Sequence, residues 1–134
     1  MARFLVLDGE ANTTSALREL LESDGHDVAA FDDPSEAAAA LKQSTFDAVL
    51  TNLELPDRGG RSLVYLTRKH HPTACVFVTT VSGAPPALDE ACHIFEKPLD
   101  YPSVTQAVSA CRATGGPGRH GRCYMKVQNT SPRL

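Results

Sequence analysis

The chain has 134 residues, 42% of them hydrophobic, and a formal net charge of −3. This is one domain of ordinary size with apolar residues enough for a sizeable core, and its mild acidity excludes a chain that binds nucleic acid over its whole surface. No apolar run approaches the roughly 20 residues of a membrane span, and the opening MARFLVLDGE, acidic by position 8, reads as a strand and not as a signal peptide.

The elements follow in chain order. RFLVL (3–7) is a short apolar run of the kind buried on both faces of a sheet. Asp8-Gly9-Glu10 ends it, and Asn12, Thr13 and Thr14 offer caps for a helix carrying Ala16, Leu17, Leu20 and Leu21 at helical spacing. Asp24-Gly25 stops that helix. DVAAF (27–31) is a second strand. The next helix opens on Asp33 as N-cap, Pro34 at N1 and Glu36 at N3. FDAVLTN (46–52) is strand three, and Gly59-Gly60 leads into RSLVYLTRKHH, whose last turn is basic. ACVFVTT (74–80) and HIFE (93–96) are strands four and five, and SVTQAVSACRA is a final helix. Between strands four and five, residues 81–92 include Pro85-Pro86 and leave room only for a short helix from Pro86 to Ala91 or for a loop.

After Ala113 the character changes. TGGPGRHGRCYMKVQNTSPRL is Gly-rich, lacks Asp and Glu, and carries Arg119, Arg122, Lys126 and Arg133. It reads as a flexible basic tail, 114–134, behind a folded domain, 1–113. Cys75, Cys92, Cys111 and Cys123 are widely spaced without a CxxC, so neither a zinc site nor a thioredoxin-like motif is expected, and reduced thiols in a cytosolic protein are. The histidines are assigned no ligand role: His70-His71 favour a helix end, and His26 and His93 read as surface or edge residues.

Strands alternating with helices predict an α/β fold with helices on both faces of a parallel sheet. Such sheets keep their chemistry at the carboxyl ends of the strands. Those ends carry Asp8-Gly9-Glu10, Asn52, Thr79-Thr80 and Glu96-Lys97-Pro98.

FLVLDGE, FDAVLTNLELPDRGG, VFVTT and FEKPLD, in that order on strands one, three, four and five, resemble the receiver domain of bacterial two-component response regulators over residues 3 to 113. The resemblance implies a flavodoxin-like (βα)5 fold, a doubly wound five-stranded parallel sheet in the order 2-1-3-4-5, here with a shortened fourth helix. It also implies a phosphoryl group taken from a kinase histidine onto an aspartate at the end of strand three. Acidic residues after strand one help hold Mg²⁺ there, and a hydroxyl and a lysine contact the phosphoryl group. On this chain Asp8 matches the first acidic residue, with Gly9 and Glu10 completing a relic acidic pocket in which Gly9 falls on the direct metal ligand. Asn52 falls on the phosphoacceptor, Thr79 on the switch hydroxyl with Thr80 next in line, and Lys97 on the phosphoryl-contacting lysine. Lys97-Pro98 matches a Lys-Pro whose bond is typically cis, and Pro56 and Gly60 also fit the pattern. The aromatic residue expected three places before the lysine is Ile94, with Phe95 one place off.

The departures change the chemistry. An amide is neutral and a poor nucleophile, and phosphoryl transfer depends on charge neutralisation around an intact acceptor. Mg²⁺ binds through one or two carboxylates, and of the matching positions only Asp8 supplies one. Weak or absent Mg²⁺ binding is therefore expected, with Asp8 as the weak candidate ligand, and Lys97 is expected to pair with Asp8 or donate to Asn52. Glu54 and Asp57 are assigned turn and loop roles.

These readings lead to a stand-alone, cytoplasmic pseudo-receiver. It is expected to be no enzyme and to act by phosphorylation-independent binding to a histidine kinase, phosphotransfer or other signalling protein. The resemblance also implies an output and dimerisation face on the fourth helix, fifth strand and fifth helix, so homodimerisation is allowed; a membrane role is not expected, and nucleic-acid binding is disfavoured. Two alternatives stand beside it: a phosphoaccepting regulator that uses another carboxylate, and nucleic-acid binding by the basic tail.

Overall fold

The computed structural model describes residues 2–56, 59–81 and 91–113. Five strands, β1 (Arg3–Leu7), β2 (Asp27–Phe31), β3 (Ala48–Asn52), β4 (Cys75–Thr80) and β5 (His93–Glu96), form one parallel sheet in the order β2-β1-β3-β4-β5. The helices among the described residues are α1 (Ala11–Ser23), α2 (Pro34–Gln43), α3 (Gly59–His70) and α4 (Tyr101–Ala113). The expected flavodoxin-like order is therefore the observed one. The short helix expected from Pro86, the tail 114–134, Asp57 and Cys123 lie outside the described residues.

Why the apolar runs become central strands is visible in their alternation. Successive side chains in a strand point to opposite faces. Phe4 and Val6 of β1, with Ala48 and Leu50 of β3, pack under Leu17 and Leu21 of α1 and Val104 and Val108 of α4. Leu5, Leu7 and Val49 face the other way, against Ala37 and Leu41 of α2 and Leu63 of α3. A strand covered on both faces has no polar side to show, hence the unbroken apolar run. Val76 and Val78 of β4 build a third cluster with Val64 and Ala91.

The helix starts divide into one expected cap and one surprise. Asp33 caps α2 as its sequence indicates, its Oδ1 accepting from the Ser35 amide at 3.0 Å, with Pro34 in the first turn. At α1 the cap expected from Asn12, Thr13 or Thr14 is corrected: the helix already starts at Ala11, with Glu10 at the N-cap position and no side-chain cap. Those residues fall inside the first turn, where the Thr13 hydroxyl donates to the Glu10 carboxylate and the Thr14 hydroxyl to the Asp8 and Glu10 carbonyls.

Two further expectations are corrected. Cys75 at the start of β4 and Cys111 near the end of α4 form a disulfide instead of remaining thiols, and Cys92 Sγ lies 3.8 Å from Cys111 Sγ. The three sulfurs meet because the end of α4 lies against the start of β4, away from the strands' carboxyl ends. His93 stands on the edge strand β5, as one half of its expectation had it, but is buried and not superficial, its ring centroid 4.3 Å from that of Phe95.

Candidate functional site

The chain leaves β1 for β2 on one side and returns to β3 on the other, so the crevice of this sheet opens above the carboxyl ends of β1 and β3. Two polar groups form there.

The first is built on Lys97. The residue follows β5 directly, and its bond to Pro98 is cis. Its ammonium lies 3.1 Å from Asp8 Oδ2 and 3.3 Å from Glu10 Oε1. Asp8 is fully buried, and its Oδ1 also accepts the Glu10 amide at 2.9 Å. A buried carboxylate needs such a partner, because an unpaired charge out of water is costly. Burial on its own would lower the Lys97 pKa. The hydrogen bond and charge of Asp8, then those of Glu10, outweigh it and raise the value above the ordinary 10.5. The pKa of Glu10 is lowered, by the Thr13 hydroxyl first and by Lys97 second. The expected pairing of Lys97 with Asp8 is thus present. The share taken by Glu10 was not foreseen.

The second group is built on Asn52, the last residue of β3, which is 7% exposed. Its Oδ1 accepts the Glu54 amide at 3.2 Å, a bond that only the oxygen of the amide group can accept. Gly60 makes this placement of the strand end feasible: a Cβ there would stand 2.0 Å from the Asn52 carbonyl oxygen. The α3 backbone therefore presses directly on the strand end, where no other residue fits without a shift.

Glu54 turns its carboxylate back onto the end of β4. The Thr80 hydroxyl donates to Oε2, and the Val81 amide to Oε1 at 3.0 Å. This separates the two threonines. Thr79 pairs in register with Asn52 but is wholly buried, and its hydroxyl has no hydrogen-bond partner among the described residues. Thr80 is the threonine whose hydroxyl is engaged at the rim. Period two accounts for the difference: Thr79 lies on the Cys75–Phe77 face, and Thr80 on the Val76–Val78 face. Ile94 packs in that same Val76–Val78 cluster. Phe95 instead stands 6.2 Å from Phe77 between ring centroids, on the opposite face. No aromatic side chain of β5 therefore accompanies Thr80.

This donor set does not fit Mg²⁺, which demands octahedral oxygen ligation with carboxylate support. The Asp8 oxygens face an ammonium, the Asn52 oxygen is bonded to an amide, the Glu54 carboxylate is bonded to Thr80 and Val81, and Gly9 has no side chain.

The response regulator receiver domain model matches residues 4–108. The chain belongs to this family. A response regulator receiver protein of Anaeromyxobacter sp. (strain Fw109-5) is 32% identical over 78% of this receiver chain and 46% of its own length. The response regulator protein FleR of Pseudomonas aeruginosa is 28% identical over 62% of the chain and 18% of its own. The chain thus spans less than half the length of these relatives. Among solved structures, the chemotaxis response regulator CheY4 of Vibrio cholerae superposes with a TM-score of 0.73 at 20% identity, covering 81% of this chain and 97% of that one. The response regulator TrrA of Thermotoga maritima, solved in complex with Mg²⁺ and beryllofluoride, matches with a TM-score of 0.73 at 23% identity over the same shares. At these identities the likeness shows the fold.

Proposed function

We propose that this receiver works as a phosphorylation-independent protein-binding module in two-component signalling, and not as an enzyme. One observation carries the reading: the residue at the end of β3, where the resemblance puts the phosphoacceptor, is Asn52, whose amide is buried and hydrogen-bonded. An amide offers phosphorus no anionic oxygen. The ion pair beside it supports the reading, because Lys97 already has its counter-charge in Asp8 and Glu10. Transfer to another carboxylate is disfavoured for the same reason, since Asp8 and Glu54 are both engaged.

The partner class is a histidine kinase, a phosphotransfer protein or another signalling protein. The Thermotoga maritima histidine kinase ThkA has been solved in complex with its regulator TrrA, which shares this fold at a TM-score of 0.71. The reading places kinase or phosphotransfer docking on the first-helix face around residues 17–23, where Arg18 and Glu22 pair in the open. Among the described residues, no helix is long and apolar enough to span a bilayer.

Amide spectra recorded with Mg²⁺ and beryllofluoride test the proposal. The natural chain is expected to show no saturable shifts at the ends of β1 and β3, whereas a Gly9→Asp, Asn52→Asp double variant shifts there. The variant is sterically feasible, since a Cβ on Gly9 meets nothing nearer than Leu55 Cδ2 at 3.4 Å. Saturable shifts in the natural chain would contradict the reading.

A further inference from the structure

The resemblance assigns a hydroxyl at the end of β4, that of Thr79 with Thr80 next in line, to contact with a phosphoryl group, and here the Thr80 hydroxyl already holds an anion. The two donors at the end of β4, the Thr80 hydroxyl and the Val81 amide, both point at one carboxylate, and each meets a different oxygen of it. Two convergent donors on two oxygens of one anionic group are how a phosphoryl or carboxylate group is ordinarily held, and a charged acceptor makes both bonds stronger than neutral ones. The carboxylate is anchored from the other side too, because the Glu54 amide donates to the Asn52 side chain. The residue that replaces the acceptor and the residue that supplies the anion are thus joined by a hydrogen bond.

We propose that Glu54 is a built-in phosphoryl substitute: its carboxylate holds Thr80 and Val81 in the anion-bound arrangement in the resting chain. The end of β4 is therefore set permanently, without modification. The proposal goes beyond the binding-module reading by naming the state in which the module is fixed. It rests on that reading only in that Asn52 takes no phosphoryl group.

Amide hydrogen exchange at Val81, measured on the full chain without phosphodonor or metal, tests it separately from phosphorylation. In Glu54→Ala the Val81 amide is expected to exchange about tenfold faster than in the natural chain, the factor for losing one hydrogen bond to a charged group. Glu54→Gln, which keeps a single acceptor oxygen, falls between the two. Inorganic phosphate added to Glu54→Ala slows the exchange again and leaves the natural chain unchanged. Thr80→Val in the natural background weakens the protection by removing one of the two donors. Equal Val81 exchange in the natural chain and Glu54→Ala would overturn the proposal. So would phosphate slowing both chains alike, because the donors would then be open to an outside anion with Glu54 in place. Phosphate incorporation into the natural chain is a separate result. It would sink the binding-module reading, whereas the Val81 comparison alone decides the role of Glu54.

Discussion

The Lys97 ammonium stands 3.1 Å from a carboxylate, that of Asp8, which has no solvent exposure at all, while Lys97 itself keeps 14% of its side-chain surface in water. The pair is lopsided: Asp8 depends on Lys97 more than Lys97 depends on Asp8. Removing the lysine strands a buried charge, so Lys97→Met is expected to lower unfolding stability by about 3 kcal/mol. Asp8→Asn combined with Lys97→Met restores most of that, because no charge is then left unpaired. Urea unfolding of the two single variants and the double variant gives the coupling directly.

The same network sets a pH window. Lys97 has a raised pKa, so its contribution is complete below the unfolded value near 10.5 and is lost as pH rises through the higher folded value. Glu10 has a lowered pKa, so its contribution is complete above the ordinary 4.5 and is lost as pH falls through the lower folded value. Stability measured across pH is expected to show both edges. In Lys97→Met the alkaline edge disappears, and the acid edge weakens but persists, since Thr13 still donates to Glu10.

The two threonines are expected to respond in opposite ways to loss of the hydroxyl. The Thr79 hydroxyl is buried without a partner among the described residues, so Thr79→Val removes a desolvated polar group and raises stability by about 1 kcal/mol. Thr80→Val removes a donor to the Glu54 carboxylate and lowers stability by about 1 kcal/mol or more. Thermal unfolding of both variants side by side checks the sign.

Gly60 is expected to resist even alanine. A Cβ 2.0 Å from the Asn52 carbonyl oxygen forces α3 or the end of β3 to move, a strain of about 1–3 kcal/mol. Gly9→Ala, with its nearest contact at 3.4 Å on a flexible leucine, serves as the near-neutral control. Comparing the denaturation midpoints of the two variants separates overlap from a general cost of replacing glycine.

Much of this architecture was legible because it rests on periodicity and punctuation. Apolar runs such as RFLVL, together with the Asp33-Pro34 helix start, fix strands and helices locally. The candidate site was legible where residues sit at strand ends, as Asp8, Asn52 and Lys97 do. What escaped depends on side-chain direction across loops. Glu54 read as a loop residue because nothing in its neighbours announces that its carboxylate folds back onto β4, 26 residues away in the chain. Alternation from Val76 and Val78 puts Thr80 on their face and Thr79 on the other, which is legible in the sequence, but the engagement of Thr80 by Glu54 is not. The Cys75–Cys111 disulfide needed knowledge of how the end of α4 lies against the start of β4, which spacing alone does not supply.

In the proposed function, Asn52 leaves this receiver unable to accept a phosphoryl group. Intact mass after incubation with acetyl phosphate and Mg²⁺ tests it most directly, on the natural chain beside the Gly9→Asp, Asn52→Asp variant. A mass increase of one phosphoryl group is expected on the variant and none on the natural chain. A phosphoryl group on the natural chain would contradict it.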